Sequence, residues 1–314
     1  MSKHLFGAIA TPHGVAANNR GENEGNMTTL QKILWNGEVH STVSAEAIRW
    51  AIRADWQRRE YKVNRTWDEK TRRHAWQDPD FLQEGVPYID DDVLGYMSAQ
   101  AAKEEANEEP AEEPKPKRGG RQRGKATVRR SRFEATRAIS LAPWPGDVVF
   151  NVAGIGATPS ASTKGDFPVP YSGEVHATRY QYAFALTPEY LLDRQRALAL
   201  VDAIVDLAEV AGSHARYLYD FAPDAVIFRW TDDFAPRILY PYQLGEGGRL
   251  AVPEVVRRVQ AGDVDARELI VGGSLAETRD GQTLGELGAS VHPGVKAAAQ
   301  ELKERLKPGL DARG

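Results

Sequence analysis

A weak alternation of apolar and polar positions opens the chain over His4–Thr11 and predicts a first strand. The loop after it, Asn18–Asn26 (NNRGENEGN), is rich in Gly and Asn, which tolerate positive φ. Two short apolar runs, Leu30–Trp35 and Glu38–Val43, flank Asn36 and Gly37, a pair that predicts a tight β-hairpin. Ser44 stands where a helix N-cap belongs, with Glu46 in the first turn. Ala45, Ile48, Ile52 and Trp56 recur at helical spacing and predict a buried stripe, while Arg49 and Arg53, four apart, share another face.

Residues 62–98 mix charges with Trp67, Trp76, Phe81, Tyr88 and Tyr96, so part of this stretch is expected to fold. Residues 99–132 hold an acidic block from Glu104 to Glu113, then a basic block from Lys115 to Arg132 with no acid in it. Such blocks bury too little apolar surface to offset ordering entropy, which predicts a mobile, disordered loop. Regular patterning resumes at Phe133, with strands expected at Ala138–Leu141 and Asp147–Val152 and a long Gly/Pro/Ser loop or hairpin over Gly154–Gly173. Thr178–Leu186 is an aromatic, alternating strand. Thr187 and Pro188 open a helix whose apolar face is Leu191, Leu198, Val201, Val205 and Ala208. Strands are expected at Ala225–Trp230, Arg237–Tyr240 and Glu268–Val271, and helices at Pro253–Gln260 and Val295–Leu306. Two helices amid mostly antiparallel strands predict an α+β, ferredoxin-like core.

At 314 residues, 41% hydrophobic and 27% charged, the chain has globular composition and ample length for a core. The absence of cysteine excludes disulfides, thiolate metal sites, iron–sulfur clusters and a cysteine nucleophile, and fits a reducing cytoplasm. No apolar run has the length of a membrane span, and the stretch before Pro12 is too short for a secretory signal. The seven histidines include no i, i+4 pair and no H-E-x-x-H. Asp90, Asp91 and Asp92 form a triplet and Asp232 and Asp233 a pair; such carboxylates hold a divalent ion or act as acid and base, although a solvated turn or helix cap is the commoner use. Gly154-Ile155-Gly156 lacks the third glycine and the following helix of a dinucleotide loop, and neither a P-loop nor a G-x-S-x-G elbow occurs. The sequence offers no strong enzyme motif and no cofactor is expected; a metal site assembled from distant histidines and carboxylates stays open at this point.

A net charge of −4 argues against a polyanion partner only if it is read as one number. Residues 1–75 carry 12 basic and 8 acidic residues, and 104–132 carry 9 basic and 6 acidic, so the remainder is net acidic. Asn18, Asn19, Arg20 and Asn23 stand in the first loop, where guanidinium forks and exposed amides suit phosphate, and where self-capping Asn side chains are the alternative. Lys32, Arg49, Arg53, Arg58, Arg59 and Lys62 add positive charge, and a solvated helix face is the plain alternative. Gly212–Arg216 and His176–Tyr180 cluster small residues with donors; Tyr180, Tyr182 and Tyr217 offer stacking, against a core role for Tyr182 and Phe184. The RNP signature of the ordinary RNA-recognition motif is absent, so base stacking on a sheet is not the expected mode.

Residues 18–53 (NNRGENEGNMTTLQKILWNGEVHSTVSAEAIRWAIR), 176–186 (HATRYQYAFAL) and 212–233 (GSHARYLYDFAPDAVIFRWTDD) closely resemble the CRISPR-associated autoregulator family, DevR type. The resemblance spans most of 1–61 and 133–273. It implies the repeated, non-catalytic backbone subunit of a type I (type I-B-like) CRISPR Cascade complex. The implied fold is a modified RNA-recognition-motif palm (1–61 and 133–314) with a finger insertion (62–132) and a thumb β-hairpin (about 156–175), which Pro159, Pro168 and Pro170 would stiffen. Copies would line up as a helical filament on the guide crRNA and hold it for pairing with target DNA. Guide contacts are implied at Asn19, Arg20, Lys32, Ser44, Arg49, Arg137, His176, Arg179, His214 and Arg216. Further implied partners are capping, large and small subunits, a crRNA-processing endoribonuclease, and a helicase-nuclease or transposition module; no membrane is involved. Two other readings stand beside this one: a metal-dependent nuclease using Asp90–Asp92, and an adaptor that recruits another effector through 99–132.

Overall fold

The computed structural model describes residues 2–17, 23–83, 85–99, 126–152, 154, 156, 170–210 and 218–310. The first strand, β1 (His4–Ala10), is buried at every position. Leu5 and Ile9 face one apolar core, and Phe6, Ala8 and Ala10 face another. A strand covered on both faces has little reason to alternate, which explains the weak pattern at the start of the chain.

The hairpin β2 (Lys32–Trp35) and β3 (Glu38–Val43) turns through Asn36 at φ 49° and Gly37 at φ 86°. Both lie in the left-handed region, as a two-residue turn matched to strand twist requires. Ser44 caps α1 (Ala45–Arg58) by accepting from the Ala47 N–H at 3.2 Å. The predicted stripe is present: Ile48, Ile52 and Trp56 are fully buried, and the Trp56 indole donates to the Ala199 carbonyl at 3.1 Å.

The main sheet is completed by β4 (Glu134–Ala135), β5 (Ala138–Ser140), β6 (Tyr180–Leu186), β7 (Ala225–Thr231), β8 (Leu269–Gly273) and β9 (Ser290–His292). Its order is β9-β8-β7-β1-β6-β5-β3-β2, with β4 also on β6. Pairing is antiparallel except between β8 and β9. One core lies between the sheet and α1, α3 (Arg196–Val205) and α6 (Val295–Leu310), with Leu200, Ile204, Leu302 and Leu306 at its centre. The other holds Ile238, Tyr242, Val255 and Leu284 and packs beside α4 (Pro253–Gln260) and α5 (Arg279–Glu286).

Between α1 and β4 the chain forms a hairpin (Arg65–Asp68 with Arg73–Trp76), the short helix α2 (Ile89–Leu94) and an antiparallel pair, Tyr96–Ala99 with Ala126–Arg129. Chain expected to be loop up to residue 132 is therefore already a strand at Ala126. Its order comes from ladder pairing and from the bond of Arg129 to Asp92, neither of which depends on local apolar content. Residues 100–125, the centre of the predicted loop, and 157–169, most of the predicted thumb, lie outside the described residues.

Two other expectations change. Pro188 opens only a short 3₁₀ turn, Pro188–Tyr190, and the α-helix starts at Arg196, because the N–H groups of Leu192 and Asp193 turn onto the Asp92 carboxylate. Arg237–Tyr240 is not a strand; Arg237 at φ 55° and Tyr240 at φ 49° are incompatible with extended chain.

Candidate nucleic-acid interface

Four of the expected guide contacts, Asn19, Arg20, His214 and Arg216, lie outside the described residues. The other six are positioned by β2, by α1 and its cap, by the start of β5 and by the short strand His176–Thr178 that leads into β6. Lys32, on β2, and Arg137, just before β5, line an open groove of about 520 Å³ together with Gln31 and Thr42. The Arg137 Nη1 donates to Thr42 Oγ1 at 3.1 Å, which braces the guanidinium against β3. The Lys32 ammonium is held inside the protein's own contacts: it donates to both oxygens of buried Glu174 at 2.6 and 2.7 Å and lies 4.1 Å from the centre of the Trp144 ring. Glu174 also accepts from the Leu30 N–H at 2.7 Å. Trp144 in turn donates to the carbonyls of Val39 and Val175, tying the turn before the predicted thumb to the hairpin.

Ser44 is buried and occupied as the cap of α1. Arg49, one turn further on, reaches the Phe133 carbonyl at 3.5 Å and keeps its Nε without a hydrogen-bond partner. His176 is almost wholly buried, with Nδ1 2.7 Å from Ser41 Oγ, and the same hydroxyl is 2.7 Å from the Tyr180 hydroxyl. Burial pushes the His176 imidazole down to about 4, so it is neutral at pH 7. A serine–histidine contact of that length has the reach of a nucleophile and its base, but Ser41 and His176 are sealed from solvent and from any substrate. Arg179 donates to Asp224 at 2.5 Å and to the Thr11 carbonyl at 3.0 Å at the end of β1. Tyr180 and Tyr182 are fully buried in the core; neither is a stacking platform. Glu174, Trp144 and Asp224, which fix the cations, were not found by sequence reasoning. Glu174 lies 142 positions from Lys32, and no local pattern joins them.

The acidic triplet is neither a solvated turn nor a metal cluster. All three carboxylates are buried. Asp90 accepts from Arg53 Nε at 3.0 Å and from the Asn64 and Arg65 N–H groups at 2.7 and 3.2 Å. Asp91 accepts from Asn64 Nδ2 at 2.8 Å. Asp92 accepts from Arg129, from Arg196 at 2.7 Å and from the N–H groups before α3. Cations and amides fill these oxygens, and no group of three metal-ligating side chains occurs among the described residues.

No protein-family model matches the chain. Over 314 residues, 98% of this chain and 99% of the other, it is 46% identical to the CRISPR-associated protein Cas7/Cst2/DevR of Myxococcus xanthus (strain DK1622). The chain belongs to that family. Solved structures share the DevR-family fold at much lower identity. A chain described as a CRISPR RNA-guided surveillance complex, pre-nicking, aligns at TM-score 0.61 and 11% identity over 98% of this chain and 100% of its own. Another, a CRISPR RNA-guided surveillance complex, aligns at TM-score 0.55 and 16% identity over 97% and 99%. No helix among the described residues of this DevR-family chain is long and apolar enough to cross a membrane.

Proposed function

We propose that this chain is the non-catalytic backbone subunit of a type I CRISPR Cascade complex, repeated along a guide crRNA in the cytoplasm. The near-full-length identity to a DevR-family protein carries this reading. The strand order β7-β1-β6-β5, with α1 after the first strand in sequence and α3 between the last two, matches the 4-1-3-2 order of a split βαβ, ferredoxin-like palm. Residues 62–132 are then the fingers and about 156–175 the thumb. The guide's phosphates would meet Arg137, Arg49 and Arg179, together with Asn19, Arg20, His214 and Arg216. Contacts to the backbone leave sequence choice to base pairing with target DNA. Neighbouring copies, capping, large and small subunits and a processing endoribonuclease complete the assembly.

Two measurements test the reading. Purified protein should carry RNA, seen as a raised 260/280 nm absorbance ratio, and should bind single-stranded RNA with strong salt dependence. Protein that is free of nucleic acid and ignores RNA at low salt overturns it. The structure also separates two of the cations: Arg137→Ala should lower the salt slope by about one unit, as expected for one lost phosphate contact. Lys32→Ala should lower it less, because Glu174 already neutralises the ammonium.

A further inference from the structure

Two cations line the open groove beside the hairpin β2–β3, and the protein treats them differently. Arg137 bonds neutral oxygens, Thr42 Oγ1 at 3.1 Å and Gln31 Oε1 at 3.5 Å, so its charge stays available to the groove. Lys32 points its ammonium at Glu174, 2.6 and 2.7 Å from the two carboxylate oxygens, with the Trp144 ring 4.1 Å away. The carboxylate is 6% exposed and the lysine side chain 26%, so little water screens the pair and its two charges cancel where a strand's phosphates would pass.

Glu174 has two separable roles. Its Oε2 accepts from the Leu30 N–H at 2.7 Å, which ties the strand Tyr171–Glu174 to the chain entering the hairpin. A neutral acceptor would make that bond equally well. The same strand is held independently by pairing with Val148–Asn151 and with Met27–Thr28. The negative charge, by contrast, serves Lys32.

We propose that Glu174 is an internal competitor of the guide: its carboxylate occupies the Lys32 ammonium as a phosphate would, and holds the RNA affinity of each subunit below what its cations allow. The inference rests on the guide-backbone reading and adds a control to it. Carboxylate and phosphate offer the ammonium the same anionic oxygens, but Glu174 is tethered beside it and acts at a high effective concentration. A phosphate that took Lys32 would leave Glu174 buried and charged with the Leu30 N–H as its remaining donor, a desolvated anion that one contact does not offset. Lys32 therefore stays on Glu174 while RNA is bound. In a subunit repeated along one strand, every copy forgoes one phosphate contact, so short or misplaced runs of subunits dissociate readily.

The test uses full-length protein freed of nucleic acid in high salt and a fluorescent dodeca-uridylate, with anisotropy read across a range of salt. Glu174→Gln keeps an oxygen for Leu30 and sets an amide nitrogen against the ammonium, which then turns out to the groove. It should bind about fivefold tighter at about 0.1 M salt and steepen the salt slope by about 0.7, one phosphate of a single strand. Loss of a merely structural bond would weaken binding and steepen nothing. In a Lys32→Gln background the substitution should leave the slope unchanged, because the cation is gone. Thermal melts check folding. If Glu174→Gln does not fold, Lys32→Gln alone decides, since its amide still donates to Glu174: its slope should fall less than that of Arg137→Ala. An equal fall shows that the ammonium already holds a phosphate and overturns the proposal. So does a folded Glu174→Gln that binds no tighter and no more steeply than the parent. In both cases a slope that still falls in Arg137→Ala leaves the guide reading standing, whereas parent protein that ignores the RNA removes both.

Discussion

Asp92 is sealed from solvent yet accepts from Arg129, Arg196 and the N–H groups of Leu192 and Asp193. Removing it strands two guanidiniums in a low-dielectric pocket. Asp92→Ala should lose about 3–5 kcal/mol in urea unfolding, as when one partner of a buried ion pair is removed. Its neighbour behaves in the opposite sense. Asp91 rises from 3.8 to about 7, with burial as the first cause, so between those values the folded chain holds a proton that the unfolded chain has released. That contribution makes stability fall as pH rises from about 4 to about 7. Asp91→Asn should flatten that segment of the profile and, at pH 8, stabilise the protein by on the order of 2 kcal/mol. A variant less stable than the parent at pH 8 would show that Asp91 is needed as an anion.

Elements that declare themselves through local chemistry were legible. Asn36-Gly37 named its hairpin, and Ser44 with Ile48, Ile52 and Trp56 named α1. Elements set by distant partners were not. Asp92 delays the start of α3 by drawing N–H groups across about a hundred positions, and α5 was missed because Gly281 and Gly285 lower its helix propensity. The same limit applies to the candidate interface: the basic residues could be read from sequence, but not that Glu174 holds Lys32 or that Asp224 holds Arg179. Capping also gives α1 a way to separate two roles of Ser44. Ser44→Ala should cost about 1 kcal/mol of stability. Ser44→Asp keeps a capping oxygen, so it should melt near the parent while its added negative charge weakens RNA binding in a filter assay.

On the scale of the whole molecule, two cores on opposite faces of one sheet bury β1 completely and bring residues far apart in sequence into a single plane. The segment between α1 and β4 is bound into that body through Asp92, because Arg196 belongs to α3 and Arg129 to the strand that closes the segment. An engineer wishing to graft a cargo domain here therefore has one seam and not another. Cutting out 62–132 removes the Asp92 carboxylate from Arg196 and takes Asp90 and Trp67 away from their α1 partners, Arg53 and Gln57. Ala99 and Ala126, by contrast, sit opposite each other in the ladder, so a short turn can replace 100–125 and any foreign domain inserted there starts and ends at the same point in space.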